Sequence, residues 1–155
     1  MDMSRGGAEN AERSLDDVTG AIVDAAYKLH TNLGPGLLES VYEVVLARDL
    51  ARQGFRVERQ RGASFVYDGL QFDEGLRVDL LVDNRVVVEI KSVEQAAPVH
   101  AKQLLTYLRL LKLPVGLLIN FGQPTLKAGL RRVVNNLAPS ASPRLRVNLQ
   151  PPAPS

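Results

Sequence analysis

The sequence predicts an α/β domain: a mixed central β-sheet flanked by helices. Two amphipathic helical stretches open the chain, hairpin-like strands follow, and a strand–helix–strand unit then spans 86–121. Such a unit implies a parallel strand pair joined by a right-handed crossover. The hairpins before it make the sheet mixed, with helices on its faces. A length of 155 residues suits one domain with a substantial core.

Residues 1–13 are polar and small and read as a disordered N-terminal tail. Ser14, followed by Asp16 and Asp17, reads as a helix start, with acidic residues near the positive end of the dipole. Ile22, Val23, Ala26, Tyr27 and Leu29 continue the helical stripe to about His30. TNLGPG (31–36) breaks it with turn residues. A second helix follows over 37–53, where Leu38, Val41, Tyr42, Val45, Leu46 and Leu50 repeat at helical spacing before Gly54.

Residues 55–60 and 64–67 read as strands, and the second leads into an Asp68-Gly69 turn with a short return over 70–72. The central pair lies at 76–82 and 86–93. Pro98 fits the first turn of a third helix, with Leu104, Leu105, Leu108 and Leu111 as its apolar face to about Lys112. Residues 115–121 form another buried strand. The segment 126–135 is open between a short helix and an edge strand, and strand is favoured. From Ala138 the Pro/Ser-rich chain reads as a disordered tail, which leaves 14–137 as the domain.

Composition narrows the function classes. Hydrophobic residues make up 45% and charged residues 23%, ordinary for a globular protein. The net charge is +2, from 19 basic and 17 acidic residues, so bulk electrostatics alone does not point to nucleic acid. The absence of cysteine excludes disulfides, cysteine–zinc sites and iron–sulfur clusters. MDMSRGGAEN has no apolar core of a signal peptide, and the apolar runs are strand-sized. A cytoplasmic location and no membrane partner are the expectations.

The stretch RVDLLVDNRVVVEIK, Arg77 to Lys91, concentrates the chemistry. Glu89 and Lys91 interrupt a near-continuous apolar strand and share one face of it. Buried carboxylates and ammonium groups are costly unless they pair or meet a metal. Register decides whether Asp79 joins them. A two-residue loop would set Asp79 opposite Val88, whereas an odd loop, Asp83-Asn84-Arg85 or an equivalent bulge, sets it opposite Glu89. We expect the odd loop. Asp79 and Glu89 are then oxygen ligands of the type Mg²⁺ or Mn²⁺ takes, with the Ile90 carbonyl as a third. Such an ion activates water for phosphodiester hydrolysis, and Lys91 can orient that water or stabilise the phosphate charge. E-x-K alone is common in exposed strands, so the weight lies in agreement with other segments.

GLLESVY, Gly36 to Tyr42, fits a G-x-x-E-x-x-Y signature. With RVDLLVDNRVVVEIKSV, PVHAKQLLTYL and VGLLINFG in that order, the chain resembles the GxxExxY proteins of the PD-(D/E)XK nuclease superfamily. The resemblance spans nearly the whole core. It implies a restriction-endonuclease-like three-layer fold, with Asp79, Glu89 and Lys91 as the D…ExK triad. It also implies that Glu39 is the helical acidic residue contacting the metal directly or through water. Gln103 and Tyr107 look like the Q-x-x-x-Y element of RecB-like nucleases, and four residues apart on a helix they share a face. The proline usually preceding the motif's aspartate is Val78 here.

The implied function is a Mg²⁺- or Mn²⁺-dependent nuclease acting on DNA, with RNA as the other substrate class. The alternative is a non-catalytic nucleic-acid- or protein-binding module that keeps the fold. Arg56, Arg59, Arg61, Lys102, Lys127, Arg131 and Arg132 are the candidate phosphate contacts. Several nucleases of the superfamily dimerise and this chain has little surface for gripping a duplex alone, so a homodimer is one expected assembly.

Overall fold

A computed structural model describes residues 13–136 and 144–151. Among them are four helices, α1 (Leu15–Leu33), α2 (Glu39–Arg52), α3 (Pro98–Leu111) and α4 (Leu126–Gly129). Six strands, β1 (Val57–Tyr67), β2 (Leu70–Val82), β3 (Val86–Lys91), β4 (Val115–Asn120), β5 (Leu130–Val134) and β6 (Leu145–Leu149), form one sheet in the order β5-β4-β3-β2-β1-β6. The β3–β4 pair is parallel and the other pairs are antiparallel. This is the mixed sheet that the sequence predicts, with α3 as the crossover.

Helices cover both faces, giving three layers. On one side α1 and α2 bury Ile22, Tyr42 and Leu46 against Leu80, Val82, Val88 and Ile90. On the other, Leu104 and Leu108 of α3 meet Val78, Leu81, Val87 and Leu118. With both faces covered, β4 is buried at every position. The architecture is the restriction-endonuclease-like α/β core expected above. No described helix is long and apolar enough to cross a membrane.

The start of α1 follows its sequence signal. Ser14 Oγ accepts from Asp17 N–H at 3.0 Å and Asp17 Oδ2 accepts from Ser14 N–H at 3.3 Å, a reciprocal capping box. Gly34 ends the helix with φ +75°, a left-handed value that a side chain would oppose. The GPG loop after it is tied down by Tyr42, which is fully buried and stacked on Phe121. Its hydroxyl donates to Gly34 O at 2.6 Å and accepts from Leu37 N–H at 3.1 Å.

Several expectations change. The strands expected over 55–60 and 64–67 are one long strand that begins at Val57, because Arg61, Gly62 and Ala63 also pair with β2. Residues 70–72 and 76–82 likewise fuse into β2. The segment 126–135 uses both options, since Thr125 caps one helical turn and the chain then enters β5. The disordered tail over 138–155 is corrected at Leu145–Leu149, which pairs antiparallel with β1 from Ala63 to Tyr67. Leu145, Val147 and Leu149 alternate with polar residues there, a half-buried strand pattern within Pro/Ser-rich surroundings. Residues 137–143 and 152–155 lie outside the described residues, as do 1–12 of the N-terminal tail. Arg13, counted with that tail, belongs to the domain: its guanidinium sits 4.1 Å from the Phe55 ring centre and 3.5 Å from Asp83.

Candidate active site

The β2–β3 turn sets the register on which the site depends. Asp83 and Asn84 both take left-handed geometry, with φ 52° and 54°. Aspartate and asparagine tolerate this better than most side chains. Arg85 N–H closes the turn on Val82 O at 3.0 Å, yet Val82 pairs with Val86. Arg85 is therefore an extra residue, and the loop is odd as expected. The ladder continues through Leu80 and Val88. The next position in this register sets Asp79 against Glu89.

There side chains replace the backbone ladder. Asp79 N–H donates to Glu89 Oε1 at 3.2 Å, and Ile90 N–H donates to Asp79 Oδ2 at 2.8 Å. Each carboxyl thus satisfies an amide next to the other carboxyl, and the two acids are locked together where β2 leaves β3. Ile90 joins through its N–H, while its carbonyl remains a proposed ligand.

The apolar side chains of β2 also change sides at this point. Val78 lies in the cluster under α3, whereas Leu80 and Val82 lie in the cluster under α1 and α2. Regular alternation would keep all three on one face. On β1, Gln60 sits opposite Asp79 between the pairs Arg59↔Leu80 and Arg61↔Val78, with φ 52°. From this irregularity the Gln60 side-chain amide reaches Glu43 Oε1 at 2.6 Å and Asp79 Oδ1 at 3.3 Å. Arg59 Nη2 lies 3.0 Å from Glu43 Oε2.

Of the acidic residues of α2, Glu43 is bonded to the Asp79 side of the site through Gln60. Glu43 is buried, whereas Glu39 lies exposed in the first turn of that helix. Among the described residues no three acidic or histidine side chains are grouped to hold a metal. Sequence reading missed Glu43 and Gln60. Glu43 had a signal: it precedes Ala47 and Leu50 at helical spacing, a carboxylate on the buried stripe. Gln60 had none.

Burial raises the Glu89 pKa from 4.5 to about 8, the Asp79 charge pushes the same way, and the Asp79 N–H and Lys91 oppose the rise. Glu43 is also raised, first by burial, although Gln60 and Arg59 oppose it. Lys91, two residues past Glu89 on the same strand, is half-buried. From α3, Tyr107 feels both acids: burial raises its pKa first, and Glu89 and Asp79 add to the rise. Gln103 Nε2 donates to Tyr107 Oη at 3.0 Å. The structure thus gathers Asp79, Glu89, Lys91 and Tyr107, with Gln103 behind the tyrosine.

A divalent cation fits this donor set. A half-buried carboxyl whose charge is disfavoured beside a second carboxyl gains from a nearby cation. Mg²⁺ commonly uses one or two carboxylates and keeps several waters, so a third acidic ligand is not required. The basic candidates divide. Arg61 is buried and paired with Glu58, and Arg59 is paired with Glu43. Arg56 and Arg132 approach Glu58 and Asp16 at 3.0 and 3.5 Å. Lys102, Lys127 and Arg131 are exposed. His30 bonds the Gln123 carbonyl at 2.8 Å.

A family model described as the PD-(D/E)XK nuclease superfamily matches residues 16–133. No curated protein and no solved structure matches the chain.

Proposed function

The chain belongs to the PD-(D/E)XK nuclease superfamily, and from that premise we propose that it hydrolyses phosphodiester bonds of DNA, or RNA, with Mg²⁺ or Mn²⁺ as cofactor. Within the superfamily we place it with the GxxExxY proteins, with Gln103 and Tyr107 as a RecB-like element. The observation that supports the reading most is the interlocked pair Asp79 and Glu89, with Glu89 pushed up to about 8.

Asp79, Glu89 and the Ile90 carbonyl would hold the ion, which supplies Lewis-acid polarisation of the phosphoryl oxygen and an acidified water. Lys91 places a positive charge beside the carboxyl pair, where negative charge develops on the phosphate in the transition state. Tyr107, oriented by Gln103, presents its hydroxyl to the same space as a hydrogen-bond partner for the phosphate or the water. Glu43 acts as a positioning residue: through Gln60 it fixes the rotamer of Asp79. Glu39 has no part in this set.

The test is cleavage of labelled single- and double-stranded DNA and RNA in Mg²⁺, Mn²⁺ and EDTA, alongside calorimetric Mn²⁺ binding. The reading expects metal-dependent cleavage that Asp79→Ala and Lys91→Ala abolish while the protein stays folded. Absence of Mn²⁺ binding, or binding unchanged by Glu89→Ala, would leave a non-catalytic module on the nuclease fold instead.

A further inference from the structure

Across the parallel β3–β4 ladder, Lys91 is paired with Asn120. Asn120 shares a sheet face with Leu118, two positions earlier, and Leu118 lies in the cluster under α3. The carboxyl ends of these strands therefore bring Asn120 beside the proposed catalytic lysine. Asn120 is only 1% exposed. The Oδ1 atom accepts from Val93 N–H and from Gly122 N–H, each at 3.0 Å. Two donors on one atom fix the amide orientation, because an NH₂ group cannot accept either bond. The other end, Nδ2, has no hydrogen-bond partner among the described residues. A buried donor without an acceptor is costly, which points to a missing acceptor.

Asn120 lines a cavity of about 350 Å³ that also meets Ala97, Pro98, Gly129 and Arg131. Ala97 and Pro98 begin α3, a helix of 14 residues with no acidic residue in its first turn. Its positive dipole end is therefore not offset by a neighbouring carboxylate of its own turn. Arg131 is exposed and pairs with Leu118 across β4–β5, so it stands on the same face as α3. Asn120, the N-terminal end of α3 and Arg131 line this one cavity. Their common complement is a compact oxyanion with several acceptor oxygens.

We propose that this cavity is a phosphate-binding subsite, which holds a phosphate of the substrate strand next to the one being cleaved. The identity of the strand rests on the nuclease reading; the binding of phosphate does not. The group held is either an internal phosphodiester or the monophosphate at a strand end.

The experiment is a titration of ¹⁵N-labelled full-length protein with inorganic phosphate, at constant ionic strength and without divalent metal, following the Asn120 side-chain amide by NMR. A saturable shift of that signal is expected, with affinity at least tenfold weaker in Arg131→Gln. Asn120→Asp keeps the Oδ1 acceptor and adds a negative charge, so it should abolish the accompanying shift of the Val99 amide. Should that variant fail to fold, the exposed Arg131→Gln change still decides. No saturable shift, or the same affinity in Arg131→Gln, overturns the subsite. Oligonucleotides with a 5′-phosphate or a 5′-hydroxyl then separate the sources. A tenfold preference for the former assigns a strand end, and equal binding assigns an internal phosphodiester. Asp79→Ala should bind phosphate as the wild type does, so failed cleavage and failed phosphate binding are read separately.

Discussion

Glu43 and Asp79 are bonded by one shared donor, the side-chain amide of Gln60, although they come from a helix on one sheet face and a strand beyond it. The amide can do this because Gln60 takes φ 52° directly opposite Asp79. Glu43→Gln keeps the shape but removes the charge that holds the amide, so the Asp79 rotamer loosens. Loss of an outer support of this kind lowers metal affinity or activity by about 10- to 100-fold. Calorimetry and single-turnover cleavage should show that loss for Glu43→Gln and a change within about twofold for the exposed Glu39→Gln. The reverse ranking would restore Glu39 to the site.

The pKa of Glu89 predicts a pH dependence of known sign. It rises from 4.5 to about 8 in the folded, metal-free chain, so the folded state holds a proton that the unfolded chain has released within this window. The contribution of Glu89 to stability is therefore complete below about pH 4.5, declines as the pH rises and is lost by about pH 8. Urea midpoints in EDTA should fall over that range for the wild type and fall less for Glu89→Gln. Identical slopes in the two proteins would contradict a half-buried, proton-holding Glu89. Proton competition also requires Mn²⁺ affinity to climb with pH, by up to about tenfold per unit below pH 8.

Lys91 separates binding from chemistry. Its charge opposes the rise of the Glu89 pKa, so its removal weakens metal binding at neutral pH only through that carboxyl. The larger effect falls on the reaction, where losing a donor to the developing phosphate charge costs about 10²–10³ in rate. Lys91→Met should therefore bind Mn²⁺ within about tenfold of the wild type while cleavage drops at least a hundredfold. Rate and affinity falling by the same small factor would reduce Lys91 to a structural cation.

The extent to which the sequence disclosed this site varies from residue to residue, for physical reasons. Asp83-Asn84 announced a left-handed turn, and the Asp79–Glu89 register followed from the extra residue, Arg85. Local chemistry of that sort is written in a few adjacent residues. Glu43 lay hidden behind Glu39 because both belong to one amphipathic helix, and only packing decides which acid turns inward. Gln60 could not be foreseen, since nothing in VERQRG marks its left-handed backbone. Arg61–Ala63 concealed strand continuity for a related reason: the stretch does not alternate polar and apolar residues, yet it pairs with β2 throughout.

Tyr42 should prove structural rather than catalytic. Its hydroxyl holds the GPG loop at both Gly34 and Leu37 while its ring stacks on Phe121 at 4.3 Å. Tyr42→Phe keeps the stack and removes both bonds, at a cost of about 1–2 kcal/mol. Hydrogen exchange should report a selective loss of protection at the Leu37 amide, with metal affinity unchanged. Uniform loss across α2 would mean that the tyrosine supports the whole helix instead.

The last strand supplies a test of where the domain ends. Pro and Ser around it give the composition of a tail, but β6 covers the edge of β1, and Val147 packs on the cluster under α3. Gln150 N–H also bonds Gly62 O at 2.8 Å, and Gln150 O accepts from Arg61 Nε at 3.1 Å. Arg61 is buried, so removing that acceptor leaves a charged donor short of a partner, and its pKa is already lowered by burial. A chain stopped after residue 136 should lose about 2–4 kcal/mol, counting the stranded donor and the lost edge bonds. For a domain of this size that corresponds to roughly 10 °C in melting temperature. An exposed β1 edge also favours self-association, which light scattering would detect on truncation. Val147→Asp in the full chain gives an independent reading, since it keeps the backbone pairs but places a charge against the α3 cluster. If neither the truncation nor Val147→Asp lowers the melting temperature, β6 contributes nothing to the fold and the domain closes at β5.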